Sequence, residues 1–323
     1  GFLGLRESVD KRIMPTIRKT VAKFLASQRD DIAERVRNAS PRHLKNESYW
    51  WRDDAWDKAL QNALRPHVGP GDAVHLCLRN CPGFIALWLA TTALGAWMVP
   101  VDPASTSRDV ETQIARVTPK MGFYARARKD TYLAGTEGAG LRSIALEETA
   151  ADVRPGGRLR AGDGRTAEVE AVEPGTRLAV MFTSGTTSQP KGVVLSHANL
   201  LANVRAMGTA LRVTPEDVFV SWLPLYHDMG LIGAWLGSLY YGTPLVLMSP
   251  LRFLARPERW LKAIHQHRAT LSGGPNFAFE LLVRMVRDKA LEGLDLSSWR
   301  GAFNGAEPVL PETLERFAGR FGP

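Results

Sequence analysis

The sequence predicts an α/β protein made of two stacked subdomains, each built on a parallel sheet. Three observations carry that expectation. Short apolar runs alternate with segments of ten or more residues at helical spacing, which implies parallel strands joined by right-handed crossovers. The alternation occurs twice, over residues 69–125 and again from residue 176 onward, with a looser tract between. In the second run three strand ends carry polar or glycine-rich turns, at the carboxyl edge where open α/β sheets bind ligands. The expected division is a helical segment at 1–68, a first α/β subdomain with its connection at 69–175, and a second at 176–323.

Taken in order, Pro15 suits the first turn of a helix in which Ile17, Val21, Leu25, Ile32 and Val36 form one apolar stripe to about Ala39. Acids and bases mixed off the stripe favour packing of this helix on its own domain over binding to a membrane surface. Ser40-Pro41 breaks it, and the aromatic cluster Tyr49, Trp50, Trp51 and Trp56 leads into a helix ending near Leu64. The first alternation then predicts strands at 73–78, 97–101 and 121–125, with helices at 82–94 and 107–117. Between about 134 and 175, Gly-rich clusters at 155–157 and 162–164 read as a loose connection, interrupted by a weak strand at 141–146.

The second alternation predicts strands at 177–182, 218–223, 244–248, 270–272 and 301–304. Helices fall at 198–211, 229–240, 257–267 and 275–288, and Pro311 opens a last one. The turns after Phe182, Leu223 and Asn304 are the candidate sites.

The bulk properties exclude several classes. With 323 residues, 45% hydrophobic and 23% charged, the composition is that of a globular protein with a sizeable core. No apolar run approaches the roughly 18 residues of a membrane span, and residues 1–5 are too short for a secretory apolar region, so a cytoplasmic location is expected. The net charge of +8 comes from Lys and Arg spread among acids without a like-charge run; this disfavours nucleic acid and suits an anionic nucleotide or an acidic carrier protein. Cys77 and Cys81 have neither a zinc nor a redox spacing and are expected to be buried free thiols.

The stretch from Thr183 to Gly192 is the strongest local signal. Thr183, Ser184, Gly185, Thr186, Thr187, Ser188, Gln189, Pro190, Lys191 and Gly192 combine hydroxyls, a turning glycine and a lysine after a strand. Backbone N–H groups and hydroxyls can donate to a polyphosphate while Lys191 supplies charge. It is not a Walker loop, which requires glycine before the lysine and Ser or Thr after it. A run of Ser, Thr and Gly alone would read as a solvated turn; the preceding strand and the Pro-Lys-Gly ending reverse that.

This stretch resembles the phosphate loop of the adenylate-forming superfamily, which includes acyl-CoA synthetases, luciferases and adenylation domains. Further pieces agree in order: Ser196-His197-Ala198-Asn199, then Pro224-Leu225-Tyr226-His227, then Gly305-Ala306-Glu307-Pro308. Residues 222–231, 272–278 and 299–308 are similar more narrowly to fatty acyl-AMP ligases. The match is specific from about Arg177, fair over 69–125 and weak before Gly69.

The resemblance implies ATP- and magnesium-dependent activation of a fatty acid to an acyl-adenylate, with an acyl carrier protein or coenzyme A as acceptor. It assigns Thr183, Ser184, Gly185, Thr186, Thr187 and Lys191 to the pyrophosphate grip, and Gly305, Ala306 and Glu307 to the border of the adenine. His227 stands by implication at the acyl pocket near the α-phosphate, and Asn276 and Phe277 along the acyl tunnel. Lys191 and His227 are the catalytic candidates. Ser188 departs from the family's usual glycine. The family's later Tyr-Gly-x-Thr-Glu motif, ribose aspartate and C-terminal lid with its lysine have no counterpart before Pro323, so the 323-residue piece alone is expected to turn over poorly. A non-catalytic acyl- or partner-binding module is the competing expectation.

Overall fold

The structure, a computed structural model, describes residues 55–153, 170–183, 190–214 and 216–322. The helix expected over 15–39, the cluster Tyr49, Trp50 and Trp51, and the Gly-rich tracts at 155–157 and 162–164 lie outside the described residues. The chain divides between Leu200 and Leu201 into two compact units.

The first unit runs through α1 (Ala55–Leu64), β1 (Ala73–Cys77), α2 (Pro82–Ala93), β2 (Trp97–Pro100), α3 (Ser107–Val117), β3 (Met121–Ala125), α4 (Lys129–Gly135), β4 (Arg142–Leu146), β5 (Arg177–Thr183) and β6 (Lys191–Ser196). Their sheet has the order β4-β3-β1-β2-β5-β6, with every neighbouring pair parallel except β5 and β6. Each residue of β1, β2 and β3 is buried, which is why these strands are written as continuous apolar runs instead of alternating ones. Pro82 opens α2 in its first turn, where a missing N–H costs nothing. A reciprocal capping box between Thr106 and Asp109 starts α3, whose Val110, Gln113 and Ile114 are buried.

Sheet membership departs from the sequence expectation. Residues 177–196 pair into the first sheet, through Met98↔Ala179 and then the β5–β6 hairpin. Reading strands along the chain cannot reveal this, because the partner of β5 is chosen by a strand about 80 residues earlier. The weak strand expected at 141–146 is a full parallel edge strand at 142–146, and α4, a span for which the sequence predicts no element, precedes it. Cys77 and Cys81 are buried free thiols, as expected, and burial pushes both up to about 12.

The second unit contains α5 (His197–Leu211), most of which lies beyond Leu200, and β7 (Phe219–Ser221). A π-helical segment, Met229–Leu236, follows and continues as α6 (Gly237–Tyr241). Next come β8 (Leu245–Leu247), α7 (Pro250–Ala255), α8 (Glu258–His267), β9 (Leu271–Gly274), α9 (Asn276–Met285), β10 (Gly301–Asn304) and α10 (Pro311–Phe321). The strands form one parallel sheet in the order β10-β9-β7-β8. The helix expected at 229–240 exists but is wound more widely over its first eight residues. Gly230 and Gly233 weaken the preference of this stretch for the tighter α form.

Trp222, Phe253, Trp260, Ile264 and Phe279 build the core of this unit. At the amino end of the sheet, buried Asp217 accepts from Thr270 Oγ1 at 2.6 Å and from Arg300 Nη2 at 2.6 Å. Burial pushes the Asp217 carboxyl up, but its hydrogen bonds from Arg300, Thr270 and Thr214 together hold it below the usual range. This brace joins the segments entering β7, β9 and β10. Among the described residues no helix is long and apolar enough to cross a membrane.

The first sheet is pinned by a buried polar contact. His75 on β1 is wholly buried, and its partner across the ladder on β3 is Gly122. A Cβ on Gly122 would lie 2.2 Å from the Tyr132 hydroxyl, so only glycine lets that ring from α4 cross the strand. Tyr132 Oη then sits 2.9 Å from His75 Nδ1, while Gln113 Oε1 of α3 lies 3.2 Å from Nε2. Since the amide oxygen can only accept, Nε2 carries the proton and Nδ1 accepts from the tyrosine. Burial lowers the His75 pKa to about 4, against a smaller upward pull from the Gln113 hydrogen bond.

The unfolded chain therefore binds this proton near pH 6.5 and the folded one only near 4. The neutral ring's contribution is complete above pH 6.5 and is lost as pH falls toward 4, a total of about 3 kcal/mol. Urea unfolding of the first unit followed from pH 7 to pH 4 should show this loss. His75→Gln, which cannot titrate, should flatten the difference.

Candidate functional site

The first unit carries the candidate phosphate loop on the β5–β6 hairpin. Antiparallel pairing places Phe182 opposite Gly192 and Thr183 opposite Lys191, so the loop between them starts and ends on adjacent, exposed positions. Ser184, Gly185, Thr186 and Thr187 lie outside the described residues. Arg116 of α3 donates to the carbonyl of Pro190, fastening the chain just before Lys191. After β6, the Ser196 hydroxyl accepts from the Asn199 N–H at 3.1 Å while the Asn199 side chain accepts from the Ser196 N–H at 3.1 Å. Ser196-His197-Ala198-Asn199 is thus a capping box that starts α5 immediately after the hairpin.

In the second unit the candidates gather at the carboxyl ends of β7, β9 and β10. His227 and Asp228 sit on the loop after β7, with His227 Nδ1 3.5 Å from Asp228 Oδ1 and both side chains about 70% exposed. Asp228 also accepts from the Met229 N–H at 2.7 Å and caps the π-helical segment. The His227 contact and this N–H hold the Asp228 carboxyl below its usual range. A His with its Nδ1 turned to a carboxylate presents Nε2 outward, which suits a group that orients an anion or a carboxyl.

Asn276 and Glu307 prove to brace the loop ends. Asn276 is 6% exposed; its Oδ1 accepts from Asn304 Nδ2 at 3.0 Å and from the Leu310 N–H at 3.1 Å, and its Nδ2 donates to Thr313 Oγ1 at 3.4 Å. Both lone pairs of its oxygen and one of its two N–H groups go to holding β10 and the start of α10 against α9. Pro275 cannot cap α9, and Glu307 does so instead, its Oε1 accepting from the Phe277 N–H at 2.5 Å. Phe277 is 43% exposed and lies edge-on to Trp222 with ring centroids 6.0 Å apart. The Gly305 N–H reaches the Gly274 carbonyl at 3.4 Å, and Ala306 follows with φ at +68°. A non-glycine residue in that left-handed region is strained, and the strain sits on the exposed turn after β10.

Two groups of candidates therefore form, one on each unit: Thr183 with Lys191, and Asn276, Phe277, Gly305, Ala306 and Glu307. His227 lies on its own loop in the second unit. Motif reading includes Trp222 and Asn304 in its matched stretches but gives neither a role, although each carries a buried polar atom that has no partner. Their signal in the sequence is that both stand at strand ends within those stretches. Among the described residues no group of three or more His, Cys, Asp or Glu converges as a metal site.

The AMP-binding enzyme family model matches residues 54–323. Over 142 residues the chain is 48% identical to the medium-chain-fatty-acid–[acyl-carrier-protein] ligase TtuA of Teredinibacter turnerae, a region that is 44% of this chain and 22% of that protein. It is 31% identical over 293 residues to the 4-hydroxyphenylalkanoate adenylyltransferase of Mycobacterium marinum, covering 85% of this chain and 44% of that one. A crystal structure of the fatty acyl-adenylate ligase from Legionella pneumophila, in complex with acyl adenylate and pyrophosphate, superimposes with a TM-score of 0.72 at 34% identity. That match covers 83% of this chain and 46% of the other. The chain spans less than half the length of each of these relatives.

The strained turn gives opposite expectations for adjacent residues. Ala306→Gly should stabilise the second unit by about 0.5–1 kcal/mol by releasing the left-handed strain. Glu307→Ala should destabilise it by about 1 kcal/mol through loss of the α9 cap. Urea midpoints of the two variants, measured beside the parent, check both signs.

Proposed function

The chain belongs to the AMP-binding enzyme family, and on that premise we propose that it forms part of a ligase that activates a fatty acid by adenylation. A carboxylate oxygen of the acid forms a bond to the α-phosphorus of ATP; the bond from that phosphorus to the bridging oxygen breaks, and pyrophosphate leaves with the electron pair. The thiol sulfur of an acyl carrier protein, with coenzyme A as the alternative acceptor, then bonds to the acyl carbon as its bond to the adenylate oxygen breaks; AMP leaves with the electron pair and the thiol proton passes to solvent. A cytoplasmic location belongs with this reading.

The observation that carries it is the closed hairpin register, Thr183 opposite Lys191, which brings a hydroxyl and a cation together at the mouth of the loop. Negative charge grows on pyrophosphate as it leaves, and preset donors stabilise such charge best when they need not reorganise. Lys191 supplies the charge, while Thr183 and the hydroxyls of Ser184, Thr186 and Thr187 donate, with Gly185 allowing the turn. Gly305, Ala306 and Glu307 border the adenine, and the exposed turn after β10 supports that role. His227 orients the carboxylate against the α-phosphate and is not a nucleophile. Phe277 offers an apolar wall to the acyl chain, whereas Asn276 serves that wall by bracing it. Magnesium enters as the counter-ion of ATP, and no protein ligand is assigned to it.

Titration with ATP and with pyrophosphate, alongside fatty-acid-dependent pyrophosphate exchange, tests the reading. Lys191→Ala should weaken binding of both anions by about tenfold and lower any exchange by about a hundredfold. Affinities that ignore this substitution, with no exchange for any acid, would instead support a binding module that has lost the chemistry.

A further inference from the structure

Two buried polar side-chain atoms without partners stand at the carboxyl end of the second unit's sheet, on either side of Gly274. Trp222 stands one residue past β7, is 3% exposed, and its Nε1–H has no acceptor. Elsewhere the fold provides for this group: the indoles of Trp97, Trp260 and Trp299 donate to the Gly71 carbonyl, Ser272 Oγ and the Gly301 carbonyl at 2.7–2.9 Å. The second atom is Asn304 Oδ1, at the end of β10. Its identity as an acceptor is decided by its surroundings. The Leu310 backbone N–H can only donate, so the Asn276 atom it meets is Oδ1; the Asn304 atom that meets the same oxygen is therefore Nδ2, and Oδ1 is left over.

The ladder places the two together. Asn304 pairs with Gly274 on β9, so their side-chain positions share one face of the sheet. The Trp222 indole occupies that face over Gly274, where a Cβ would lie 2.7 Å from Cζ2 and 3.4 Å from Cε2, the carbon bonded to Nε1. Adjacent strands are about 4.8 Å apart, so the orphan donor and the orphan acceptor flank one small region at the carboxyl end of the sheet. Leaving both unsatisfied is costly, and one chemical group answers both. A hydroxyl accepts from Nε1–H and donates to Oδ1.

We propose that Trp222 and Asn304 form a polar subsite that selects an acyl substrate bearing a hydroxyl group. The inference rests on the adenylating reading above and deepens it by naming the class of acid. Both atoms are buried in this structure, and the half-exposed Phe277 ring, edge-on to the indole, is the nearest aromatic group open to solvent beside them.

Pyrophosphate exchange with a straight-chain acid and its chain-matched monohydroxy isomers separates this proposal from the reading beneath it. Exchange with any acid tests adenylation; only the ratio between acids tests the subsite. At one hydroxyl position kcat/KM should exceed that of the plain acid by about tenfold. Trp222→Phe, which keeps a ring and removes the donor, should return the ratio to about one. Equal values for all isomers, or a ratio unmoved in the variant, overturn the proposal. A second measurement needs no variant to fold. The Trp222 indole ¹⁵N–H resonance of the parent protein should move on adding the preferred hydroxy acid and stay in place with the plain acid. A resonance already hydrogen-bonded in the free protein, and indifferent to the hydroxyl, assigns the pair to a resident water and overturns the subsite.

Discussion

In both sheets a glycine at one registered position lets an aromatic ring cross a strand, and the polar architecture follows from that vacancy. Gly122 admits Tyr132, whose hydroxyl then reaches His75 and ties α4 to β1. Gly274 admits Trp222, whose ring lies over the sheet face that Gly274 shares with Asn304. Parallel strands leave no space at these places for both a side chain and a ring, so the smallest residue decides which neighbour packs there. The two outcomes differ in satisfaction. His75, Tyr132 and Gln113 form a complete hydrogen-bonded set, which suits a structural core. Trp222 and Asn304 remain incomplete, which suits a place that meets something else.

In each unit the candidate residues stand on loop ends whose conformations are held by side chains of other elements. Arg116 holds Pro190, Asn276 holds Leu310 and Asn304, and Glu307 caps the helix that presents Phe277. Residues that motif reading assigns to ligands thus also carry structural duties. Glu307 is the clearest case, since its carboxylate satisfies a helix N-terminus that proline leaves bare. A substitution there removes that cap.

Most elements were legible from periodicity and punctuation. Strands β1, β3 and β10 and helix α3 match their expected spans to within a residue, because continuous apolar runs, Pro at helix starts and the Thr106–Asp109 box are local signals. Helices α4 and α7 were not legible: seven and six residues are too few for an apolar stripe to declare itself. The wide winding over Met229–Leu236 was hidden for a related reason, since an all-apolar segment has the same pattern in either form. Of the candidate site, the loop lysine, the His-Asp turn and the Gly-Ala-Glu turn were marked by composition at strand ends. The bracing role of Asn276 depends on hydrogen bonds to residues 28 to 37 positions away, and the orphaned atoms of Trp222 and Asn304 on which groups the fold leaves out of reach, so no spacing records either.

The sequence by itself determined the α/β class, the order of strands and helices, and the residues able to meet an anion, because these follow from local preference and side-chain chemistry. Tertiary structure alone decided that β5 and β6 complete the first sheet and that the loop is closed by a Thr183–Lys191 pair. It also decided that Asn276 spends its amide on the fold and that Trp222 keeps an unspent donor. The reason is common to all four. Strand pairing and hydrogen-bond satisfaction are choices among partners distant in the chain, and only the folded arrangement says which partner is within reach.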